Sequence, residues 1–323
     1  MTVVAAAPAA GICAESQTVA IGWLSQAVRR TLPLSYLDQP PADEGLLGAR
    51  LGIADSNTTG QFTGQSFELV ERVVAEDGDV AAAFRDLAAK GTRLVVTDLA
   101  AKDLLSVASL PEAAPATIFD AASPDDRLRG EDCRANVLHL LPSRAMLADA
   151  LVQYLVAKRW LDLLLVVADE EDEFGDYLSY RTFDPRPVAG TQGLVPSAWA
   201  RPHEQWGATQ LQTRFLHQAK RWMTDRDYAA WMAVRAVGEA AARSRSTDPA
   251  KISAFLRSDQ FELAAYKGAR LSFRSWDGQL RQPILLADVR SLVSVSPQPG
   301  FLHQFSELDT LGIDKPETKC HMG

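Results

Sequence analysis

Short apolar segments of the strand type alternate with helical segments in the first part of the chain, and this alternation restricts the possible folds more than any other feature. The strand-like segments are residues 18–24, 67–74, 93–97 and 116–119. Helical patterns separate them: one follows Asp43 and Glu44, the second runs from a predicted N-cap at Asp79 to a stop at Gly91, and the third covers residues 102–108. Strands joined through helices form right-handed βαβ units, so we expect an α/β fold, with a mostly parallel sheet covered on both faces.

A second series of elements begins with a strand-like segment at residues 136–141 and a strongly amphipathic helix that Ser143 is expected to cap. Further strands are expected at residues 161–168 and 193–199, long helices at residues 203–223 and 225–244, and a shorter helix capped by Asp248. The last part is rich in strands, with a hairpin turn at Trp-Asp-Gly-Gln, residues 276–279, and a final strand in SLVSVSP. For a folded chain of 323 residues, two lobes are the natural expectation.

Composition agrees with a folded chain that has a substantial core. Of 323 residues, 47% are hydrophobic and 23% are charged, and the net charge of -8 includes no basic block. Because nucleic-acid binding requires a basic surface, nucleic acid is excluded as an expected partner.

Sequence motifs for catalysis are absent. The chain contains no G-x-S-x-G, Walker loop, H-E-x-x-H or GxGxxG between a strand and a helix. Five histidines lie far apart, without partners at metal-ligand spacing: His139, His203, His217, His303 and His321. We therefore expect neither an enzyme nor a metal site.

The N-terminal segment MTVVAAAPAAGICAES has the Ala-rich apolar character of the end of a secretory signal, with cleavage near Ala14. It has no basic residue before the apolar stretch, and Ile12 is large for the minus-three position, so a cytosolic N-terminus is the alternative. Residues 1–16 are interpreted as a leader remnant. Its removal leaves Cys133 and Cys320, which form either a disulfide, stabilising by about 4 to 5 kcal/mol through its long loop, or two unrelated thiols.

The order of these elements from Gln17 onward resembles the class I periplasmic solute-binding proteins of the branched-chain amino acid type. The segments that carry the resemblance are GDVAAAFRDLAAKGTRLVV, PSRAMLADALVQYL, the region from DYAAWMAVRAVGEAA to ELAAYKG, and the hairpin LSFRSWDGQLRQPILL. The resemblance implies two α/β lobes that close on a small-molecule ligand, a periplasmic location, an ABC permease as partner and a monomeric state. It places residues 17–120 and 203–283 in lobe 1, and residues 121–202 and 284–320 in lobe 2.

A narrower set of segments is similar to the binding proteins of ABC systems linked to pyrroloquinoline quinone (PQQ)-dependent alcohol dehydrogenases. These segments are FDAASPDDRLRGEDCRANVLHLLPSRAMLADAL, FGDYLSYRTFDPRPVAGTQGLVPSAW and ELDTLGIDKPETKC. They imply PQQ as a bound ligand rather than a cofactor, with lanthanide handling as the alternative, and a periplasmic dehydrogenase system as a possible partner.

One departure from the family pattern follows the helix that ends near KRW. Family members have a strand, a helix and another strand before a segment like LLLVVADEEDEFG, whereas Trp160 is directly followed by Leu161 here. The resemblance therefore implies a shortened second lobe, or a sequence from which this stretch has been left out.

Candidate ligand-binding residues follow the predicted strands, because ligands of open parallel sheets bind beyond the carboxyl ends of the strands. They are Trp23 and Ser25, Thr97 and Asp98, Asp120 and Ser123, Ser143 and Arg144 at a helix start, and Asp169 to Tyr177, which includes Glu170. Chain crossings between the lobes are expected near residues 119–123, 197–201 and 283–287.

The residue types in these loops suit a flat polycarboxylate, which needs guanidinium groups for its carboxylates and aromatic faces for its rings. The loops offer Arg144, Arg181 and Arg186 together with Trp23, Tyr177, Tyr180 and Trp199. The alternative is that the arginines form internal ion pairs and the tryptophans pack the core.

Two groups of acids suggest a rival ligand, a hard cation. The groups are residues 169–173, and Asp125, Asp126, Glu131 and Asp132. Consecutive acids point in different directions, so a solvated surface is the favoured interpretation and no metal ligand is assigned.

Overall fold

The computed structural model describes residues 17–28, 41–160, 164–170, 174–175, 178, 183 and 186–322. The predicted leader, residues 1–16, the candidate ligands Tyr177, Tyr180 and Arg181, and the first residues of the strand predicted at 161–168 lie outside these ranges.

A parallel sheet of five strands organises the first body of the molecule. Its strands are β1 (Gln17–Gln26), β2 (Gln65–Val74), β3 (Leu94–Asp98), β4 (Thr117–Asp120) and β5 (Val137–His139), in the order β2-β1-β3-β4-β5. All four pairings are parallel. The predicted parallel α/β sheet is therefore confirmed.

Helices cover this sheet on both faces, as the alternation of apolar segments predicts. The α-helices within the described residues are α1 (Leu46–Thr63), α2 (Val80–Ala89), α3 (Ala101–Ala108), α4 (Arg144–Lys158), α5 (Ala208–Ala219), α6 (Asp225–Ser244) and α7 (Pro249–Leu256). One face packs on α1, α5, α6 and α7, and the other on α2 and α3. Consecutive residues of β3 show the period of two, because Leu94 and Val96 face the first core and Val95 faces the second.

Helices α1 and α6 approach each other closely because glycines line their contact. A Cβ at Gly48 would collide with the backbone carbonyl of Asp227, and one at Gly52 would lie 2.8 Å from Val234 Cβ. The carboxylate of Asp227 also accepts a hydrogen bond from the Gly45 amide at 2.8 Å, immediately before α1. The glycines therefore fix the distance at which the N-terminus of α6 lies from the sheet.

Replacing Gly48 with alanine tests this close packing. Alanine favours a helix over glycine by about 1 kcal/mol, but the collision with a backbone atom forces the helices apart, so we expect a net loss of about 2 kcal/mol or more in the free energy of unfolding. Urea titration measures it. Thr58→Ala, on the exposed side of the same helix, should change stability by less than about 0.5 kcal/mol, and equal effects of the two substitutions would contradict the packing argument.

A small antiparallel sheet completes the first body. Its strands are β9 (Leu263–Ala264), β10 (Arg270–Phe273) and β11 (Leu280–Arg281), and the predicted hairpin is formed by β10 and β11. The described part of the second body contains α4, a parallel pair of β6 (Leu165–Val167) and β7 (Val188–Gly190), and an antiparallel sheet of β8 (Val195–Ser197), β12 (Ile284–Ala287) and β13 (Leu292–Ser296). Its separate core includes Met146, Leu151, Ile284, Leu286 and Leu311.

The strand β5 corrects one predicted boundary. The sequence interpretation ended lobe 1 at residue 120, but Ile118, Phe119 and Asp120 pair in parallel with Val137, Leu138 and His139, so β5 belongs to the first sheet. The chain therefore passes to the second body after His139, through residues 140–143, rather than near residues 119–123. The other two passages are residues 198–201, after β8, and residues 282–283, between β11 and β12. These three stretches are called the crossing segments below.

Most predicted helix ends agree with the structure, and one helix is shorter for a local reason. Asp79, Ser143 and Asp248 accept hydrogen bonds from backbone amides at the starts of α2, α4 and α7. The helix expected at residues 203–223 spans only Ala208–Ala219, because Trp206 and Gly207 before it and Lys220 after it have φ values of 58°, 84° and 59°. Positive φ angles interrupt a right-handed helix.

The predicted pair of Cys133 and Cys320 forms a disulfide, with a Cα–Cα distance of 5.6 Å. It joins the loop before β5 to the C-terminal segment. That segment is also held by Asp309, whose buried carboxylate accepts a hydrogen bond from Arg274 at 2.9 Å, and by Gly312, whose amide donates to Asp149 at 2.7 Å. Among the described helices, none combines the length and apolar character that crossing a bilayer requires.

Reducing the disulfide tests its contribution. The bond closes a loop of 187 residues, so the chain-entropy account predicts a loss of up to about 5 kcal/mol in the free energy of unfolding. Thermal unfolding with and without a reducing agent measures the effect, and a Cys133→Ala/Cys320→Ala variant should be insensitive to the agent. Equal unfolding temperatures for the reduced and oxidised protein would contradict this prediction.

Candidate functional site

The carboxyl ends of β1, β3 and β4 bring several predicted site residues to one edge of the sheet. Ser25 lies beside Asp98, and Thr97 lies beside Asp120. Helix α6 begins at this edge, where the Arg226 guanidinium lies 3.3 Å from the Asp98 carboxylate, both side chains being partly exposed. Asp98 and Arg226 therefore form a partly exposed polar surface beyond the strand ends, with Ser25 buried beside them.

Two of the predicted residues support this edge from inside. Trp23 is fully buried, and its indole N–H donates to the Ser25 hydroxyl at 3.0 Å. Thr97 is also fully buried, and its hydroxyl donates to the carbonyl of Phe119 at 3.3 Å. Because neither side chain reaches solvent in this conformation, both position the strands instead of presenting a surface to a ligand.

Asp120 is the centre of a buried polar network. Its carboxylate accepts hydrogen bonds from the Ser123 amide at 2.9 Å and from His139 Nδ1 at 2.8 Å, and Arg129 Nη1 lies 3.8 Å away. Burial opposes ionisation of Asp120, but His139, Arg129 and the amide outweigh it and lower the pKa of the carboxyl. Burial and the charge of Arg129 lower the pKa of His139 to about 4, so its imidazole is neutral near pH 7.

The guanidinium of Arg129 extends this network to the first crossing segment and to Gln279, which precedes β11. It donates to the carbonyls of Ser123 at 2.9 Å and Leu141 at 3.0 Å, and to Gln279 Oε1 at 2.9 Å. The sequence analysis named Asp120 and Ser123 but missed Arg129, His139 and Gln279, because their partners lie up to 150 positions away in the sequence. Asp120 and Ser123 thus hold the crossing region together.

The depressed pKa of His139 has a consequence for stability. In the unfolded chain the imidazole takes up a proton near pH 6.5, whereas in the folded state it does so only near pH 4. The unfolded state therefore binds more protons in this window, and the stability due to His139, about 3 kcal/mol, is lost as the pH falls from 6.5 to 4.

We therefore expect that the difference in unfolding free energy between the wild type and His139→Gln shrinks as the pH is lowered through this range. The matched control is His217→Gln, which makes the same replacement at a histidine on the exposed side of α5. Denaturant titrations at several pH values measure both differences. A constant difference for His139→Gln would show that His139 is not held neutral.

At the start of α4, Arg144 and Glu170 meet as predicted site residues. The guanidinium donates two hydrogen bonds to the carboxylate, at 2.5 and 2.6 Å, with about half of each side chain exposed. The bonded Arg144 lowers the pKa of Glu170. Because both side chains are half exposed, a charged ligand can reach them. An ion pair this exposed contributes little to stability, so replacing one partner with a ligand group costs little free energy.

Three of the described acids in the acid-rich segments stabilise loop structure: Asp125, Asp126 and Asp169. Asp169 is buried and accepts hydrogen bonds from the amides of Phe174 at 2.8 Å and Gly175 at 2.6 Å. In the second group, Asp125 accepts from the Arg127 amide and Asp126 from the Ala145 amide. Within the described residues, no three acids, histidines or cysteines are grouped so that they would hold a metal ion.

Trp199 lies in the second crossing segment, buried and stacked on Tyr228 with ring centroids 4.5 Å apart. Two residues later, the guanidinium of Arg201 lies over the indole of Trp222 at 4.1 Å from its centroid. Arg201 is exposed, and 41% of Trp222 is exposed. The sequence did not predict this stacked pair, because the two residues are 21 positions apart in the sequence. They come together where Asp225, the first residue of α6, bonds the amides of Ala198 and Trp199. Arg186, also predicted, is exposed.

No protein-family model and no curated protein matches this sequence. Solved structures do match its fold. A periplasmic binding protein from Burkholderia mallei is 16% identical, covers 95% of this chain and 99% of its own, and has a TM-score of 0.68. A branched-chain amino acid ABC transporter periplasmic ligand-binding protein from Burkholderia xenovorans is 15% identical, covers 86% and 95%, and has a TM-score of 0.66.

A third similar structure is the leucine-, isoleucine-, valine-, threonine- and alanine-binding protein from Brucella ovis in its closed conformation. It is 14% identical, covers 95% of this chain and 99% of its own, and has a TM-score of 0.65. At these identities the comparison identifies the fold alone. The chain therefore has the α/β fold of the type I periplasmic binding proteins.

Proposed function

We propose that this protein is an extracytoplasmic solute-binding protein of an ABC transport system, which binds a small anionic ligand between its two bodies. The proposal gives it a periplasmic location, a monomeric state, no catalytic role, and an ABC permease or a periplasmic dehydrogenase system as partner. The names of the structures with this fold support the proposal, since they are periplasmic binding proteins and ABC transporter components.

The observation that carries the proposal is the stacked pair of Arg201 and Trp222. A guanidinium group lies on the indole face, both groups have exposed surface, and the pair lies beside a crossing segment, where the bodies meet. Arg226 adds a second partly exposed cation at the edge of the sheet. A flat polycarboxylate finds here both a donor fork for its charge and a face for its ring.

PQQ is the ligand that we propose first, because it is a planar tricarboxylate and because the sequence is similar to proteins of PQQ-linked systems. The residues proposed to contact PQQ are Arg144, Arg186, Ser25, Asp98 and Glu170. Two more proposed contacts, Arg181 and Tyr177, lie outside the described residues. Asp98 and Glu170 then act by orienting Arg226 and Arg144, with which they form ion pairs.

Two other classes of ligand are distinguished from PQQ by the titration described below. An amino acid is suggested by the names of two of the similar structures, and the opposite charges of Asp98 and Arg226 suit a zwitterion. A lanthanide is the alternative from the sequence, but the described acids at residues 125, 126 and 169 already accept backbone hydrogen bonds. A protein that senses the ligand without transporting it would use the same binding site but a different partner protein.

The lobes that we propose follow the two bodies of the structure. Lobe 1 contains residues 17–139 and 203–281, and lobe 2 contains residues 144–197 and 284–320, with the crossing segments between them. This division moves the first boundary proposed from the sequence beyond β5, and it assigns residues 198–201 and 282–283 to the crossing segments instead of to the lobes.

Titration with PQQ tests the ligand. Trp222 lies at the proposed site, so PQQ at micromolar concentration should quench tryptophan fluorescence, and Trp222→Phe should remove most of the quenching. Trp160→Phe is the matched control, because Trp160 is 44% exposed but lies at the end of α4. Arg201→Ala should weaken PQQ binding by about tenfold, the loss of one charge-assisted contact.

Arg270→Ala, at an exposed arginine paired with Glu262 in the antiparallel sheet, should leave PQQ binding unchanged. Leucine and a lanthanide salt are titrated in parallel. No response to PQQ would discard this ligand, and a response only to leucine would assign an amino acid. Absence of binding to every solute in the panel, together with no molecule that co-purifies, would contradict the binding function itself.

A further inference from the structure

Asp225 holds the second crossing segment to the first body. It is the first residue of α6, and its partly buried carboxylate accepts hydrogen bonds from the amides of Ala198 at 3.1 Å and Trp199 at 2.7 Å. Both amides lie immediately after β8. The position of the second body relative to α6 is therefore fixed here by a carboxylate.

Lys267 holds the third crossing segment in the same way, but with a positive charge. Only 4% of the residue is exposed, and its ammonium group donates to Gln282 Oε1 and to the Pro283 carbonyl, both at 2.8 Å. Gln282 in turn donates to the Leu140 carbonyl, in the first crossing segment, at 2.7 Å. Lys267 and Gln282 thus connect two crossing segments.

The ring of Tyr228 contacts one residue from each of these two arrangements. Trp199 stacks on it, and Lys267 Nζ lies 5.1 Å from its centroid. The Tyr228 hydroxyl donates to the Ala265 carbonyl at 2.6 Å, two residues before Lys267. All three crossing segments therefore meet in one buried assembly around a rigid aromatic ring.

The charges of this assembly are poorly solvated. Burial raises the pKa of Asp225 to about 6, although the two amides and Lys267 oppose the shift, and Glu44 adds to it. Burial lowers the pKa of Lys267 to about 7, opposed by Asp225. Among the described titratable groups, His203 faces Lys267, and Tyr228 faces both Asp225 and Tyr266.

A cavity of about 370 Å³ adjoins Lys267 and Pro283. The residues lining it come from both bodies: Lys267–Ala269 and Pro283 on one side, and Val295–Pro297 and Ser306–Leu308 on the other. Because its walls belong to both bodies, a change in their relative orientation changes its width, and with it the access of water to the buried Lys267.

We propose that Asp225 and Lys267 are positioning residues of the hinge, and that their charges favour its bending because water reaches the pair as the two bodies move. The proposal rests on the proposed motion between the lobes but not on the identity of the ligand. In the charged form the pair loses hydration in the tight arrangement and regains it in the loosened one.

Proton linkage gives the direction of the effect. Hydration lowers the pKa of Asp225 towards its ordinary value, so proton uptake by Asp225 favours the tight hinge. Hydration raises the pKa of Lys267 towards its ordinary value, so proton loss from Lys267 also favours the tight hinge. The hinge should therefore open most readily between about pH 6 and 7, where both groups are charged.

Hydrogen exchange of the Ala198 and Trp199 amides in the ligand-free protein tests this. After correction for intrinsic exchange, their protection should be about tenfold lower near about pH 6.5 than at about pH 5, and at least about tenfold lower than at about pH 8.5. The variant Asp225→Asn/Lys267→Met removes both charges and should keep protection constant within about twofold over this range.

Protection in the wild type that does not vary with pH, or that varies equally in the double variant, would overturn the proposal. A second measurement needs no variant: the carbon signals of the Lys267 side chain should titrate near pH 7 in the wild-type protein. Titration near about pH 10.4, the ordinary value for lysine, would also overturn it. Because no ligand is added, these outcomes are independent of whether PQQ binds.

Discussion

Buried polar groups at the crossing segments are the constraint on which the rest of this structure depends. Three stretches of backbone leave the first sheet and enter the second body, and their amides and carbonyls lose water without the regular pairing of a sheet. Asp225, Lys267, Arg129 and Gln282 supply the missing hydrogen bonds from side chains. An apolar junction would leave these backbone groups unpaired, whereas charged side chains pair them at the cost of their own desolvation.

The same constraint explains where a ligand site is available. At the strand ends, the side chains of Thr97 and Asp120 form hydrogen bonds inside the protein, and Trp23 packs beneath the edge of the sheet. The side chains that keep exposed surface there are Asp98, Arg226, Arg201 and Trp222. All of these lie at the carboxyl end of the sheet or near the start of α6. The position of that start is set by the glycine contact between α1 and α6 and by Asp227, which bonds the Gly45 amide.

Local pattern was sufficient to predict the parallel sheet, most helix starts and the hairpin, because caps and apolar periodicity act within a few residues. It failed where distant pairing decides. Val137 to His139 is a short strand whose partner β4 assigns it to the first sheet, and nothing within the segment distinguishes the two bodies. The predicted helix at residues 203–223 was too long because backbone angles at Trp206 and Lys220 are not visible in apolar spacing. The same limit applies to the candidate site. The sequence predicted which residues follow the strand ends, but not that some of them, such as Asp120, form hydrogen bonds inside the protein instead of facing a ligand.

The central claim is that the two bodies move about these crossing segments to enclose a small molecule. Small-angle X-ray scattering of the protein alone and with saturating PQQ tests this claim most directly. Closure of the two bodies changes the overall dimensions of the protein, whereas binding of PQQ to a rigid surface does not. The account predicts a smaller radius of gyration with PQQ, and no change for Arg201→Ala at a PQQ concentration that saturates only the wild type. A radius that stays constant while PQQ quenches Trp222 would contradict closure and leave a rigid protein with a surface site.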